Sequence, residues 1–379
     1  MSRRAAIVGV AESDTGKTPH LTALSQQALA ARAALAEAGL AKDDVDAVFS
    51  AGAWGWSPPM TIAEYLGIQP RFTDGTNVGG ASFEAHVGHA VAAIEAGLAD
   101  VALITYGSTQ RTDRSRNAAR PASLTAQFEL PYGLPLPVGA YALAAMRHFH
   151  QYGTTSEQLA EVAVAARRWA GLNPKAYHRD PITAGDVLAS PMICEPLHKL
   201  DCCLVTDGGG AVVVAAEDRW PGVATRPVVV LGHAETHTHA TIANMPDLTV
   251  TGAAWTGPAA LRMAGAGHDD IDVTEIYDSF TITVLLTLEA LGFCKPGESG
   301  GFVAGGRIAP GGEFPMNTNG GGLSYTHPGM YGIFLLIEAV RQLRGDFTGP
   351  RQVPRAELAL VHGTGGVLSS AATVILGRS

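Results

Sequence analysis

Two tyrosines, one histidine and one glycine-rich turn are the parts of this sequence whose chemistry stands out. Tyr325 and His327 lie two residues apart in one motif, and Tyr277 belongs to another. A phenol and an imidazole can each take up or return a proton during a reaction. Gly79 and Gly80 directly precede a predicted helix, where free backbone N–H groups can hold a negatively charged oxygen. These groups predict acid–base chemistry on a substrate that develops negative charge.

The composition limits the class of protein to which the chain can belong. Of its 379 residues 16% are charged, well below the ~25% of typical globular proteins, which predicts large buried surfaces. The net charge of -9 leaves no broad positive field for nucleic acid. The apolar runs are far shorter than the ~20 residues of a membrane span. The 4 cysteines include no C-x-x-C pair, so neither zinc nor disulfides are indicated, and a cytoplasmic protein is expected.

The sequence contains an internal duplication. Residues 35–46 have the pattern of a helix, a glycine stop, an acidic turn and a strand, and residues 261–272 repeat it. Strands that alternate with helices predict two similar α/β halves with mostly parallel sheets. We place the N-terminal half at residues 1–225, with a loop insertion at about 108–196, and the C-terminal half at residues 226–379.

Four motifs, in this order along the chain, resemble those of the thiolase superfamily. They are LDCCLVTDGGGA at residues 200–211, EIYDSF at 275–280, GLSYTHP at 322–328 and HGTGG at 362–366. The resemblance covers essentially the whole chain. It implies an α/β protein with a thiolase-like fold, in which two duplicated halves stack in α-β-α-β-α layers and a loop domain is inserted in the first.

The resemblance breaks at the nucleophile. A thiolase carries the acyl group on a cysteine thiolate at a helix N-terminus, and here that position falls on Gly80. The position of the family's second cysteine falls on or beside His362. Ser82 is an alternative nucleophile, but it lies two residues past the position and its simpler role is to cap the helix. The four cysteines are predicted to serve packing.

Glycine at the nucleophile position and tyrosine in the second motif resemble a narrower group, the lipid-transfer-protein-like aldolases that shorten steroid side chains as CoA thioesters. This resemblance implies a carbon–carbon lyase that cleaves a β-hydroxyacyl-CoA, with a steroid or other bulky acyl group, into a ketone or aldehyde and a shorter acyl-CoA. The predicted catalytic residues are Tyr277, Tyr325 and His327. The predicted thioester-binding residues are Gly79, Gly80, His327 and His362. Weaker predictions for substrate contact are Ser82, His89 and Asp278.

The resemblance also implies partners. It implies a homodimer and a second subunit, a small OB-fold and zinc-ribbon protein. We expect no cofactor apart from coenzyme A as part of the substrate. We expect no metal ion either, because the alternating histidines His233, His237 and His239 lack an acidic partner motif.

The sequence leaves two other functions open. The first is a thiolase-type acetyltransferase with an atypical nucleophile, for which Ser82 is the candidate. The second is a carrier of acyl-CoA or lipid without catalytic activity. Such a carrier would not need the proton-transfer groups of Tyr277, Tyr325 and His327.

Overall fold

The computed structural model describes residues 3–52, 56–113 and 123–379. Within these ranges the strands are β1 (Ala5–Glu12), β2 (Ala47–Ser50), β3 (Phe72–Asp74), β4 (Val101–Ser108), β5 (Met192–Cys194), β6 (Leu197–His198), β7 (Gly208–Ala216), β8 (Val228–His237), β9 (Val273–Ile276), β10 (Leu358–Gly365) and β11 (Ser370–Arg378). The helices are α1 (Ala23–Ala38), α2 (Pro58–Leu66), α3 (Ser82–Glu95), α4 (Leu124–Phe128), α5 (Val138–Tyr152), α6 (Ser156–Leu172), α7 (Ala184–Ala189), α8 (Ala253–Ala264), α9 (Thr281–Leu291), α10 (Ser299–Val303) and α11 (Gly332–Arg344). None of the described helices combines the length and the apolar character that a membrane crossing needs.

One large mixed sheet runs through the molecule in the order β3-β2-β4-β7-β1-β8-β11-β10-β9. The first five strands of this order come from the N-terminal half and the last four from the C-terminal half. The halves meet where β1 pairs with β8, at Ala6 with Val229 and Ile7 with Val228. The two halves have mirrored strand orders, which confirms the predicted duplication.

The prediction of mostly parallel sheets is wrong. Among the described strands of the large sheet, β2 pairs in parallel with β3 and β4, and β9 with β10. The other neighbours are antiparallel. In the C-terminal half β11 follows β10 through the short turn 366–369, which has no room for the crossover that a parallel pair requires. Alternating strands and helices in the sequence did not reveal this closing hairpin.

The two copies of the duplicated segment share their details. α1 ends at Gly39 and α8 at Gly265, and both glycines adopt the left-handed conformation, with φ of 72° and 66°. An aspartate then closes each acidic turn: the carboxylate of Asp44 or Asp270 accepts a 2.8 Å hydrogen bond from the backbone N–H three residues earlier. The turn after α1 leads into β2, and the turn after α8 leads into β9.

The layers place two helices at the centre of the molecule. α3 and α11 pack together and against strands of both halves, while α1 covers one outer face and α8 the other. The side chains of α3 and α11 are almost all buried. α3 begins just after the Gly79–Gly80 turn, and α11 begins just after the His327 motif. The insertion supplies α4 to α7, and α6 packs on the turn that leads to His327. The limits of the two halves stay a prediction.

Candidate active site

The Gly79–Gly80 turn is the point where three distant motifs meet. Gly79 has a φ of +75°, and a Cβ on it would lie 2.7 Å from the backbone nitrogen of Gly366. A Cβ on Gly80 would lie 2.2 Å from Cε2 of Tyr277 and 2.5 Å from the carbonyl oxygen of Thr364. Real side chains do not make contacts this short. Glycine is therefore required at both positions because the second and fourth motifs press against the turn.

Tyr277 and His327 form a hydrogen-bonded pair beside this turn. The hydroxyl of Tyr277 lies 2.8 Å from Nε2 of His327, and it also accepts a 3.1 Å hydrogen bond from the backbone N–H of Tyr331. Both side chains are buried. The backbone N–H of His327 donates to Oγ1 of Thr206 at 2.9 Å, which ties the pair to the first motif.

The electrostatics of the pair keep both groups neutral. Burial lowers the pKa of His327 to about 4, although backbone hydrogen bonds with His327 itself and with Leu204 oppose the shift. Burial likewise raises the pKa of Tyr277 well above its usual value. A neutral phenol is a poor base unless it passes its own proton on as it accepts another. The nitrogen of His327 lies at the distance at which it can receive that proton.

Asp278 shapes the loop that carries His327. Its carboxylate accepts hydrogen bonds from the backbone N–H groups of Gly322 at 2.6 Å and Leu323 at 3.2 Å. A Cβ on Gly321 would lie 2.0 Å from Oδ2 of Asp278, so the carboxylate fills the space that glycine leaves. Burial raises the pKa of Asp278 to about 7, against the effect of the two N–H donors. Asp278, predicted as a substrate contact, therefore makes its contacts with the protein.

The hydroxyl of Ser82 closes the glycine turn. Its Oγ donates to the carbonyl of Gly79 at 2.6 Å and accepts from the backbone N–H of Val78 at 3.0 Å. Neither partner is a base that can activate a serine, and the hydroxyl lies buried in the turn. The position of Ser82 favours the capping role over the nucleophile.

His362 faces away from the turn, contrary to the role predicted for it. Its Nδ1 lies 2.8 Å from Oγ1 of Thr373, which in turn contacts Thr256 of α8. The next residue, Gly363, faces the opposite side of the sheet and contacts Glu84 of α3. Because successive residues of a strand point to opposite faces, His362 cannot share the side of β10 that meets the turn. Burial lowers its pKa to about 3.

His89 also lies apart from the turn. Its Nδ1 lies 2.5 Å from Oδ2 of Asp74, and its Nε2 lies 3.1 Å from Oε1 of Glu235. These hydrogen bonds, the one with Asp74 first, raise the pKa of His89 to about 10. At 1.5 Å per residue, His89 is roughly 10 Å along α3 from Ser82. His89 thus belongs to an ionic cluster between β3, α3 and β8, and its contact with substrate stays a prediction that this position does not favour.

Tyr325 does not join the pair of Tyr277 and His327. It ends a turn of π-helical geometry, Gly321–Tyr325, and the extended backbone of Thr326 separates it from His327. Its ring packs on Phe334, and the residue lines a cavity of about 230 Å³ together with Glu12 and Arg341. A catalytic role for Tyr325 stays a prediction that this geometry does not favour.

Tyr141, a residue that was not predicted from the sequence, is brought to the site by the insertion. Its ring packs on Phe280 of the second motif in a tilted arrangement, with 4.4 Å between ring centroids, and its hydroxyl donates to the carbonyl of Gly366 at 3.2 Å. Gly366 is the residue that presses against Gly79. Burial raises the pKa of Tyr141 to about 12, with a side-chain hydrogen bond to Ser279 acting against it. No motif surrounds Tyr141 in the sequence, so only the packing of α5 could have revealed it.

Within residues 3–52, 56–113 and 123–379, no group of three or more His, Cys, Asp or Glu side chains is arranged to hold a metal ion. Cys202 is half-buried, and burial raises its pKa to about 12. Its thiol is therefore protonated and unsuited to attack.

The chain was compared with known proteins. Residues 234–378 match the family described as Thiolase C-terminal domain-like. The chain is 35% identical to 17-hydroxy-3-oxo-4-pregnene-20-carboxyl-CoA lyase of Mycobacterium tuberculosis, over 98% of each chain. It is 34% identical to a steroid side-chain-cleaving aldolase of Thermomonospora curvata, over 90% of each chain.

A solved structure agrees with these relatives. The structure described as Ltp2-ChsH2(DUF35) aldolase superposes with a TM-score of 0.90 and 34% identity, and covers 99% of this chain and 98% of its own. The family predicted from the four motifs and from Gly80 is thereby confirmed. The chain belongs to the thiolase superfamily and, within it, to the thiolase-fold aldolases.

Proposed function

We propose that this protein cleaves the Cα–Cβ bond of a β-hydroxyacyl-CoA by a retro-aldol reaction. The products are a ketone or aldehyde and a shorter acyl-CoA. One observation carries the proposal: the ring of Tyr277 occupies the space where a nucleophile on residue 80 would stand, and its hydroxyl is paired with His327. A retro-aldol reaction needs a proton acceptor for the β-hydroxyl and donors for the thioester oxygen, but no covalent intermediate.

The pair of Tyr277 and His327 suits the first proton transfer. In the proposed step the β-hydroxyl gives its proton to the oxygen of Tyr277, while Tyr277 gives its own to Nε2 of His327. The electrons of the O–H bond form the new carbonyl, the Cα–Cβ bond breaks, and its electron pair passes to the thioester as an enolate. The enolate carbon then takes a proton from the site, which completes the shorter acyl-CoA and restores the pair.

The glycine turn suits the developing charge on the thioester oxygen. The N–H of Gly79 is engaged with Oδ1 of Asn77 at 3.2 Å. We therefore assign the oxygen to the N–H groups of Gly80 and Ala81, at the start of α3, where the helix dipole favours negative charge. His327 was predicted as a catalytic residue and as an oxygen donor, and its contact with Tyr277 supports the role in proton transfer.

Tyr141 is our candidate for the second hydroxyl of the site. Its hydroxyl donates to Gly366, which lies against the glycine turn. Tyr325 instead lines the cavity that Glu12 and Arg341 also line. In the proposed reaction Tyr141 gives its own proton to the enolate carbon, and the proton held by His327 then passes through solvent to Tyr141, so that all three groups return to their starting state. The names of both curated relatives refer to steroids, so we propose a steroid or similarly bulky acyl group, with coenzyme A as part of the substrate and no further cofactor.

The products formed from two substrates test the proposal. The protein, together with any co-encoded partner, is given a β-hydroxyacyl-CoA and its β-keto counterpart, each with and without free CoA, and the products are identified by mass spectrometry. Cleavage of the hydroxy compound without CoA is expected. Cleavage of the keto compound alone, and only with CoA, would show an acyltransferase and overturn the proposal. Binding of both compounds without turnover would favour a carrier.

We further propose that the protein works as a homodimer with a second, DUF35-type subunit. The name of the solved relative includes such a partner. Exposed apolar side chains offer surface for contacts of this kind, among them Trp56, Met60 and Tyr65 near α2 and Phe128 and Tyr132 in the insertion. Light scattering on the protein alone and after co-expression with the partner measures both assemblies. A monomer that cleaves substrate alone would contradict the proposal.

A further inference from the structure

Glu84 is a buried acid that the proposed chemistry does not use. It lies in the first turn of α3, four residues after Gly80, and its side chain is 1% exposed. Neither carboxyl oxygen makes a hydrogen bond of ordinary geometry in the described residues. An ionised carboxylate is not tolerated in such a place without a cation, so the group is neutral at pH 7. Accordingly, burial raises the pKa of Glu84 to about 8, against a weaker interaction with its own N–H.

The space around this carboxyl group is shaped for it. A Cβ on Gly332 would lie 2.3 Å from Oε2 of Glu84, and a Cβ on Gly363 would lie 2.4 Å from the same oxygen. Neither glycine has a positive φ, so the backbone conformation itself does not demand glycine there. α11 and β10 therefore each have a glycine where they approach Glu84 and the turn, because a side chain there would collide with the carboxyl group.

The carboxyl group faces the backbone of the glycine turn. The same Cβ position on Gly332 lies 2.4 Å from the carbonyl oxygen of Gly80, so this oxygen and Oε2 of Glu84 border one small space. Two acceptor oxygens that face each other attract only if a proton lies between them. A protonated Glu84 has a hydroxyl to donate, and the carbonyl of Gly80 is an acceptor that borders the same space.

We propose that Glu84 is a positioning residue of the reaction: held in the protonated form, it donates to the carbonyl of Gly80 and fixes the peptide whose N–H groups receive the thioester oxygen. The inference rests on the proposed function, because that function makes the turn the oxyanion site. Orienting donors before the reaction is what makes such sites effective. Glu84 does not touch the substrate and acts through Gly80.

Burial, and not a charged neighbour, determines the pKa of Glu84. His86, two residues further along α3, and His362, on the opposite face of β10, are both neutral, since burial lowers the pKa of His86 to about 4 and that of His362 to about 3. From the side of α11 it meets Gly332, which carries no charge. The shift of the Glu84 pKa has no contribution from a charged neighbour. Ionisation above about pH 8 would place two repelling oxygens at the turn and disturb it.

Two substitutions distinguish a positioning role of Glu84 from a role in packing alone. Glu84→Gln keeps the size and a donor for the carbonyl of Gly80, while Glu84→Leu removes the donor. For the wild type we expect kcat to fall above about pH 8. Glu84→Gln should keep its kcat at pH 7 and lose this alkaline decline. Glu84→Leu should lose about tenfold or more in kcat, with little change in KM. The substitution leaves the N–H groups of Gly80 and Ala81 less well oriented, and these groups act mainly in the transition state.

Glu289→Gln alters another buried glutamate, which pairs with His148, and should leave the alkaline decline in place. An unchanged decline in Glu84→Gln, or a folded Glu84→Leu with normal kcat, would overturn the inference.

Thermal unfolding of wild type and Glu84→Gln tests the protonated state without activity. The unfolded pKa is 4.5 and the folded one about 8, so the wild type should lose stability relative to Glu84→Gln as the pH rises between these values. A stability difference that does not change with pH would contradict a protonated Glu84. Absence of wild-type cleavage together with this pH dependence would instead count against the proposed function.

Discussion

The ring of Tyr277 lies where a side chain on residue 80 would have to be. A Cβ on Gly80 would be 2.2 Å from Cε2 and 2.6 Å from Cζ of the tyrosine. The same tyrosine ends in the hydroxyl that pairs with His327. A side chain on residue 80 and the phenol ring of Tyr277 therefore exclude each other. A thiolate and this phenol cannot occupy the site together.

Gly80→Cys should therefore fail to create a thiolase. The new side chain must displace Tyr277, and overpacking of this kind typically costs about 1–3 kcal/mol of stability. We expect a lower melting temperature, loss of β-hydroxyacyl-CoA cleavage and no CoA-dependent cleavage of the β-keto compound. Gly80→Ala serves as the control, because it introduces the same clash without a thiol. Vigorous acyl transfer by Gly80→Cys alone would contradict the steric argument.

Tyr277→Phe tests the proton transfer directly. The variant keeps the ring against Gly80 but loses the hydroxyl that bonds His327 and the N–H of Tyr331. We expect kcat to fall by about 100- to 10,000-fold, which is the usual contribution of a positioned acid or base. The stability loss should be about 1–3 kcal/mol, because buried groups lose a partner.

The matched control is Tyr106→Phe, which removes a buried hydroxyl that donates to the carbonyl of Pro328 at 2.5 Å. It should show a similar stability loss in thermal unfolding while most of the activity is retained. Equal losses of kcat in the two variants would mean that Tyr277 acts through stability alone.

The sequence predicted which segments of the chain come together at the site. Motif order located the glycine turn, Tyr277 and His327, and the structure brings them together. It did not predict the direction of side chains, which local backbone geometry decides. Strand alternation turns His362 to the far face of β10, and the turn Gly321–Tyr325 directs Tyr325 to another cavity.

Other features were beyond the sequence because they depend on packing between distant segments. Tyr141 reaches the site only because α5 of the insertion packs on the C-terminal half. The neutral state of Glu84 depends on two glycines, Gly332 and Gly363, that lie some 250 or more residues away in the sequence. An acid in a helix is usually solvated, so the residue type alone does not indicate this burial.

Tyr141→Phe and Tyr325→Phe should differ in effect. Tyr141 presents its hydroxyl to Gly366 beside the turn, and Tyr325 faces the cavity with Glu12 and Arg341. If Tyr141 returns a proton to the enolate, its loss should lower kcat by about 100-fold, whereas Tyr325→Phe should stay near wild type. The solvent-exchange rate of the Cα protons of the shorter acyl-CoA, measured in D₂O, should fall in parallel with kcat. The reverse ranking would restore Tyr325 as the second catalytic tyrosine.

His89→Gln should affect stability in a pH-dependent way and leave the reaction intact. Hydrogen bonds, first to Asp74 and then to Glu235, raise the pKa of His89 to about 10 from 6.5 when unfolded. A raised pKa means that the folded state holds the proton more tightly, so the stabilisation is complete below about pH 6.5 and is lost as the pH rises towards 10. The melting temperature of wild type should exceed that of His89→Gln most at pH 6, and the difference should shrink in steps to pH 10. His20→Gln, which changes an exposed histidine, serves as the control. A fall in kcat of His89→Gln at pH 7, with normal stability, would instead return His89 to the substrate site.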